Sequence, residues 1–182
     1  MYTFTILCLL TLLLCLILML CRQKSKLQQL QKQLALDPLT GTQNRYGYEK
    51  DIATYEKQPP SSLGCLYIDV DNLHKINNCY GHRKGDQILS CIGTILIKFF
   101  GQEQVYRIGG DEFIVLSPYI PQKQFIAKQK QLQRLFYQQQ LTASIGGIWN
   151  ISPLSVNHCI ETAEREMYRK KINPPSRKKK EK

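Results

Sequence analysis

Acidic residues are scarce in this sequence. Only 14 Asp and Glu stand against 25 Lys and Arg, a formal charge of +11 over 182 residues. The shortage points to an anionic partner: a nucleotide, a nucleic acid or a lipid headgroup. Part of the excess lies in the closing run Arg177, Lys178, Lys179, Lys180 and Lys182, which reads as a solvated tail. No RNA-binding aromatics or groove-reading motif accompany that run, so no nucleic acid is expected as a partner. The seven cysteines form no CxxC pair and no metal-ligand spacing, which excludes a zinc ribbon. They read as reduced, small hydrophobes of a cytosolic domain.

Charge is missing altogether from Tyr2 to Cys21, YTFTILCLLTLLLCLILMLC. That length suits one helical crossing of a bilayer. A basic n-region and a small-residue cleavage site are both lacking, and Leu20 before Cys21 fits a lipoprotein site poorly. The expectation is an uncleaved anchor over 1–21. Arg22, Lys24 and Lys26 follow it, so the positive-inside rule puts the remainder in the cytoplasm, behind a single-pass inner (cytoplasmic) membrane segment. Residues 22–36 contain neither glycine nor proline, and Leu27, Leu30 and Leu34 recur at 3–4 spacing. This linker is either a short coiled-coil-like helix or a plain amphipathic spacer.

Asp37-Pro38 opens a domain over 37–173, and 174–182 form the basic tail, expected to be disordered. A helix is expected from about Asn44 to Lys57, then a strand over Cys65–Ile68 ending in Asp69-Val70-Asp71. In a continuing strand Asp69 and Asp71 share a face, and carboxylates at a strand end can hold a divalent cation. A short helix follows over Asn72–Cys79, and YGHRKGDQIL reads as a polar loop opening another helix. That helix has Ile88, Leu89, Ile92, Ile95, Leu96 and Phe99 on one side. Residues 105–116, VYRIGGDEFIVL, read as a β-hairpin with Gly109 and Gly110 in the turn and two adjacent acids, Asp111 and Glu112, at its tip. A helix over 121–140, a strand at LTASIGGIW and a helix over 157–171 complete the pattern. Such alternation is expected to bury helices against one face of a mainly antiparallel sheet.

DPLTGTQNR, YIDVDNLHKIN, YGHRKGDQIL, RIGGDEF, TASIGG and EMYRKK occur in this order. The set resembles the GGDEF domain family of bacterial diguanylate cyclases over roughly residues 37–173. The resemblance implies a palm-like α/β (α+β) fold, similar to that of nucleotidyl cyclases, with helices flanking a mainly antiparallel sheet. It also implies condensation of two GTP to cyclic di-GMP and two pyrophosphates at a homodimer interface. On this likeness Asp69, Asp111 and the carbonyl of Val70 hold Mg²⁺ (or Mn²⁺). Asp111 lies near the attacking 3′-hydroxyl and Glu112 supports the metal site. Gly109 and Gly110 admit the triphosphate, Asn77 and Asp86 read guanine, His82 makes a further substrate contact, and Lys171 meets the phosphates.

The sequence departs from the family pattern at several positions. His74 stands where the family has a catalytic lysine, with Lys75 beside it, and Asn78 replaces an aspartate. The Gly-Arg usually found after the late lysine is missing, with Pro174-Pro175 in the segment instead. Phe100 and Glu103 occupy the places of an inhibitory RxxD, so no product inhibition is expected there. These departures give the alternative expectation of a catalytically weak or inactive GTP-binding regulator or scaffold.

Overall fold

The computed structural model describes residues 2–153 and 155–173, without the side chains of residues 2–5, 7–9, 11, 28–29 and 31–34. The tail expected over 174–182 lies outside the described residues. Two compact units divide the chain, Met1–Ala35 and Leu36–Lys182.

The first unit is built on helix α1 (Tyr2–Leu34). The described apolar side chains of α1, among them Leu12, Leu16, Leu20, Leu27 and Leu30, are exposed. Among the described residues, no helix is long and apolar enough to cross a membrane. The expected anchor is therefore not established by the fold.

The second unit runs α2 (Arg45–Lys57), β1 (Ser62–Val70), α3 (Leu73–Tyr80), α4 (His82–Phe100), β2 (Val105–Arg107), β3 (Glu112–Pro118), α5 (Gln122–Gln138), β4 (Ala143–Ile151) and α6 (Val156–Ile172). The sheet order is β2-β3-β1-β4, and every pairing is antiparallel. Helices cover both faces of the sheet, not the one face expected. Leu66, Ile68, Val70, Phe113 and Val115 pack with Leu89, Ile92 and Leu96 of α4 and Phe125 and Leu132 of α5. The alternate residues Leu63, Cys65, Tyr67, Ile114 and Leu116 pack with Cys159, Ile160, Ala163 and Met167 of α6 and with Tyr48 and Ile52 of α2. The two-residue repeat of a strand sorts each side chain to one core or the other. With both faces covered, β1 loses the polar alternation of a half-solvated strand and reads as a continuous apolar run. Its Gly64 admits the ring of Phe125, which lies 2.3 Å from where a Cβ would stand.

Several boundaries differ from those expected. β1 extends past Cys65–Ile68 on both sides but stops at Val70, so the strand ends between Asp69 and Asp71 and the condition for a shared face is not met. Residues 82–86 are the first turns of α4 rather than a loop; Gly81, at φ +81°, makes the break from α3. The cysteines are only partly as expected: Cys65 and Cys159 are buried, whereas Cys15, Cys21, Cys79 and Cys91 are exposed, all six of them free.

The DPLTGTQ segment, residues 37–43, secures the edge of β2. Gln43 N–H donates to Val105 O at 2.8 Å and Arg107 N–H to Gln43 O at 2.7 Å. Asp37 accepts at Oδ1 from the Thr40 backbone at 2.9 Å and the Thr40 hydroxyl at 2.6 Å. Arg107 Nη1 donates to the same carboxylate at 3.1 Å, while Nη2 donates to Gly110 O at 2.8 Å. One guanidinium thus joins the start of the domain to the tip of the β2–β3 hairpin. Burial pushes the Asp37 carboxyl up, but the hydrogen bonds from Thr40 and the charge of Arg107 outweigh burial and hold it below its ordinary value.

Two expectations follow from these contacts. A Cβ at Gly146 would lie 1.9 Å from Ala163 O and 2.3 Å from Met167 N, backbone atoms of α6 that cannot move aside. Gly146→Ala is expected to lose about 3 kcal/mol in urea denaturation; an unchanged midpoint would refute this packing. Asp37→Asn is expected to cost about 2 kcal/mol at neutral pH. A carboxylate with a depressed folded-state pKa stabilises fully above its unfolded value and loses that contribution as pH falls through the folded value. The stability gap between wild type and Asp37→Asn should therefore close as the pH drops below the ordinary value of 3.8. A gap of constant size at pH 7 and in strong acid would contradict the ion pair.

Candidate active site

Strand parity brings the first group of candidate residues together. Asp69 follows Cys65 and Tyr67 on the α6 side of β1, and β3 pairs it directly with Glu112. Val70 N–H donates to Asp111 O at 3.0 Å, and Ile108 N–H to Glu112 O at 3.1 Å, closing the tip. Tyr67 OH donates to Glu112 Oε1 at 2.9 Å. Burial, and then the acceptance of this bond by Glu112, push the Tyr67 phenol well up, so it stays a donor. From the C-terminal end of α6, Lys171 Nζ donates to both carboxylate oxygens of Asp69 at 2.8 Å. Asp69, Val70, Asp111, Glu112 and Lys171 thus form one cluster at the adjoining ends of β1 and β3.

The glycines of the tip differ in their surroundings. A Cβ on Gly109 would lie 2.5 Å from Glu112 Oε2, so this glycine leaves room for the protein's own carboxylate; around Gly110 the space is open. Neither is among the glycines with positive φ, which are Gly41, Gly81 and Gly101. Space, rather than a left-handed backbone, is what glycine supplies here.

Asp69 is held in a conflict of charge. Burial raises its pKa most; Lys171 lowers it, and the neighbouring Asp111 and Asp71 raise it again, leaving it above the usual value. Asp71 itself is turned aside, accepting from Ser144 Oγ at 2.8 Å. Among the described residues, no group of three or more His, Cys, Asp or Glu side chains is arranged to hold a metal ion. The donor set is smaller than that and all oxygen. Two carboxylates, Asp69 and Asp111, lie beside a strand-end carbonyl, the hard ligands a Mg²⁺ ion takes while keeping several waters. The Lys171 ammonium on Asp69 already answers the local need for positive charge.

The second group lies on the α3–α4 hairpin. Asn77 Oδ1 is buried without a hydrogen-bond partner. It packs so close over α4 that a Cβ on Gly85 would lie 2.0 Å away. His82 and Asp86 are exposed on the first turns of α4. His74 is exposed on α3, its Nδ1 3.3 Å from Asn78 Nδ2. Among the described residues no side-chain hydrogen bond joins this group to the carboxylate cluster. A shallow depression of about 430 Å³ lined by Lys130, Gln133, Arg134, Tyr137 and Gln138 lies on α5 and includes neither group.

Sequence reasoning missed the supporting residues Tyr67 and Ser144. Tyr67 was within reach, since it lies two residues before Asp69 and shares its face. Ser144 depends on the register of β4 against β1, where it pairs with Asp69, and nothing local in the sequence announces that.

The family model described as "Diguanylate cyclase, GGDEF domain" matches residues 34–177. The chain is 29% identical over 159 residues to the diguanylate cyclase DgcS of Shewanella oneidensis, a match covering 80% of this chain and 52% of that protein. It is 32% identical over 164 residues to the diguanylate cyclase DgcN of Escherichia coli, covering 82% and 40%. The chain therefore spans about half the length of the curated relatives it matches. The coiled coil and GGDEF domain of DgcB from Caulobacter crescentus, solved in complex with c-di-GMP, has the same fold. Its TM-score is 0.71 at 18% identity, covering 85% of this chain and 90% of that one. From the paired strand ends to the helices on both faces of the sheet, residues 34–177 make this chain a member of the GGDEF domain family.

Proposed function

We propose that the chain is a membrane-anchored diguanylate cyclase that condenses two GTP molecules into cyclic di-GMP, releasing two pyrophosphates. The observation that carries this reading is the direct pairing of Asp69 with Glu112 across β1 and β3, with Asp111 beside them. The names of the matched relatives support the same chemistry.

In each half-reaction a 3′-hydroxyl oxygen bonds to the α-phosphorus of the other nucleotide while the bond from that phosphorus to pyrophosphate breaks. Asp111 takes the hydroxyl proton. Asp69, Asp111 and the Val70 carbonyl would hold Mg²⁺ or Mn²⁺, which would supply positive charge against the phosphate oxygens and the leaving pyrophosphate. Glu112, fixed by Tyr67, maintains the negative side of that site. Gly110, with open space around it, lets the triphosphate approach the backbone, and Lys171 neutralises its charge. Asn77, whose buried oxygen has no partner in the protein, and Asp86 read the guanine edge; an acceptor facing guanine N1–H rejects adenine. His82 adds a further contact at the start of α4.

The product joins two nucleotides, so two copies of the domain face each other as a homodimer. Residues 1–21 anchor each copy in the cytoplasmic membrane with the domain in the cytoplasm, and residues 22–36 raise the local concentration of domains. The uncharged stretch Tyr2–Cys21 and the basic residues after it support the anchor.

A second reading, a GTP-binding regulator without turnover, draws on His74. Its ring is exposed on α3 and engaged with Asn78, where the family pattern has a lysine.

Incubation of the detergent-solubilised chain with GTP and Mg²⁺ is expected to yield cyclic di-GMP by mass spectrometry. Asp111→Ala should lower the rate by at least about 10³-fold. GTP binding without product from the intact chain would instead establish the regulator. A fragment beginning at Leu36 is expected to bind GTP yet lose specific activity on dilution, while the full chain stays in the membrane pellet through an alkaline carbonate wash. Equal dilution behaviour, or release by carbonate, would overturn the tethering role of the first 35 residues.

A further inference from the structure

The cation that sits on Asp69 belongs to the protein. Lys171 Nζ engages Oδ1 and Oδ2 equally, at 2.8 Å each. The two partners differ in freedom, since the Asp69 side chain is 10% exposed and that of Lys171 is 44% exposed. The carboxylate is fixed at the end of a buried strand, and the lysine reaches in from solvent, so Lys171 is the partner able to leave. The preceding residue has a separate attachment: Lys170 Nζ donates to Ile145 O on β4 at 2.8 Å. Consecutive lysines therefore pin the last turn of α6 to two different strands.

We infer that Lys171 and the divalent cation compete for Asp69, and that the displaced ammonium turns to the triphosphate, coupling metal capture to nucleotide binding through a single side chain. This rests on the reading of Asp69 as a metal ligand. An ammonium and a divalent cation cannot share one carboxylate without strong like-charge repulsion. Metal arriving alone must break both lysine hydrogen bonds with no phosphate to receive the ammonium. Metal arriving with a triphosphate breaks the same two bonds, but the phosphates then receive the lysine. Each ligand consequently favours the other, and this coupling is reciprocal by thermodynamic linkage. Lys171 is in this sense a positioning residue for the metal as well as a contact for the substrate.

The test is binding, without turnover. Mn²⁺ is titrated into the full-length chain in detergent without nucleotide, and free Mn²⁺ is read by electron paramagnetic resonance. Lys171→Met is expected to bind Mn²⁺ about tenfold more tightly than wild type, whereas Lys171→Arg, which keeps the competing cation, stays close to wild type. Lys170→Met removes the same charge one residue away and is expected to leave Mn²⁺ affinity within about twofold of wild type, although it frees the last turn of α6 from β4. In EDTA, Lys171→Met should bind α,β-methylene GTP about tenfold more weakly. Unchanged or weakened Mn²⁺ binding by Lys171→Met overturns the exchange. So does an equal gain in Lys170→Met, which would mark a general field effect, or undiminished nucleotide binding. Asp69→Asn separates the two levels of the argument. Loss of Mn²⁺ binding is expected, and its retention would remove Asp69 from the metal site altogether.

Discussion

A strand buried on both faces can offer polar chemistry only at its ends. This constraint governs the domain. β1 is buried at eight of its nine positions, so its first carboxylate comes near its end, where Ser144 of β4 and Glu112 of β3 flank it in register. The same two-residue repeat that sends Leu66 and Ile68 toward α4 and α5 sends Tyr67 and Asp69 toward α6. Tyr67 can therefore hold Glu112, and Lys171 can reach Asp69. Close packing of α6, permitted by Gly146, brings that lysine within range.

Much of this was legible in the sequence, for identifiable reasons. Apolar 3–4 spacing marked α4, and the alternation of apolar runs with turn residues marked the antiparallel hairpin. The ordered motifs named the carboxylate cluster before any strand was paired. Coverage of both sheet faces was harder to read, because a fully buried strand is uniformly apolar and does not say how many layers bury it. The end of β1 at Val70 was hidden for a different reason. The chain turns out of the strand at Asn72, which takes a left-handed φ of +58° just after the Asp71 N–H has donated to Thr142 O at 3.0 Å, and residue 142 lies far along the chain. Residues 82–86 read as loop because they are polar and contain glycine, yet Gly85 serves helix–helix packing against Asn77.

The electrostatics of the cluster also qualify the basic composition. An excess of lysine and arginine suggests a diffuse attraction for anions, but the cations that matter are individually committed. Arg107 is divided between Asp37 and the Gly110 carbonyl. Lys171 is held by Asp69, and Lys170 by Ile145 O. His74, by contrast, stands exposed on α3 with an amide for company.

The two ties that fix the hairpin tip and its partner strand share one property: both close very long loops. Arg107 and Asp37 are 70 residues apart, and Lys171 and Asp69 are 102 apart. Contacts of such separation form only after the intervening chain has organised, because closing a long loop costs entropy that local structure must first offset. A nascent or half-unfolded domain can build its helices, and even the β2–β3 turn, without setting the acids in order. Order at the tip is thus a property of the completed domain alone, and a partly folded chain carries the acids without assembling them.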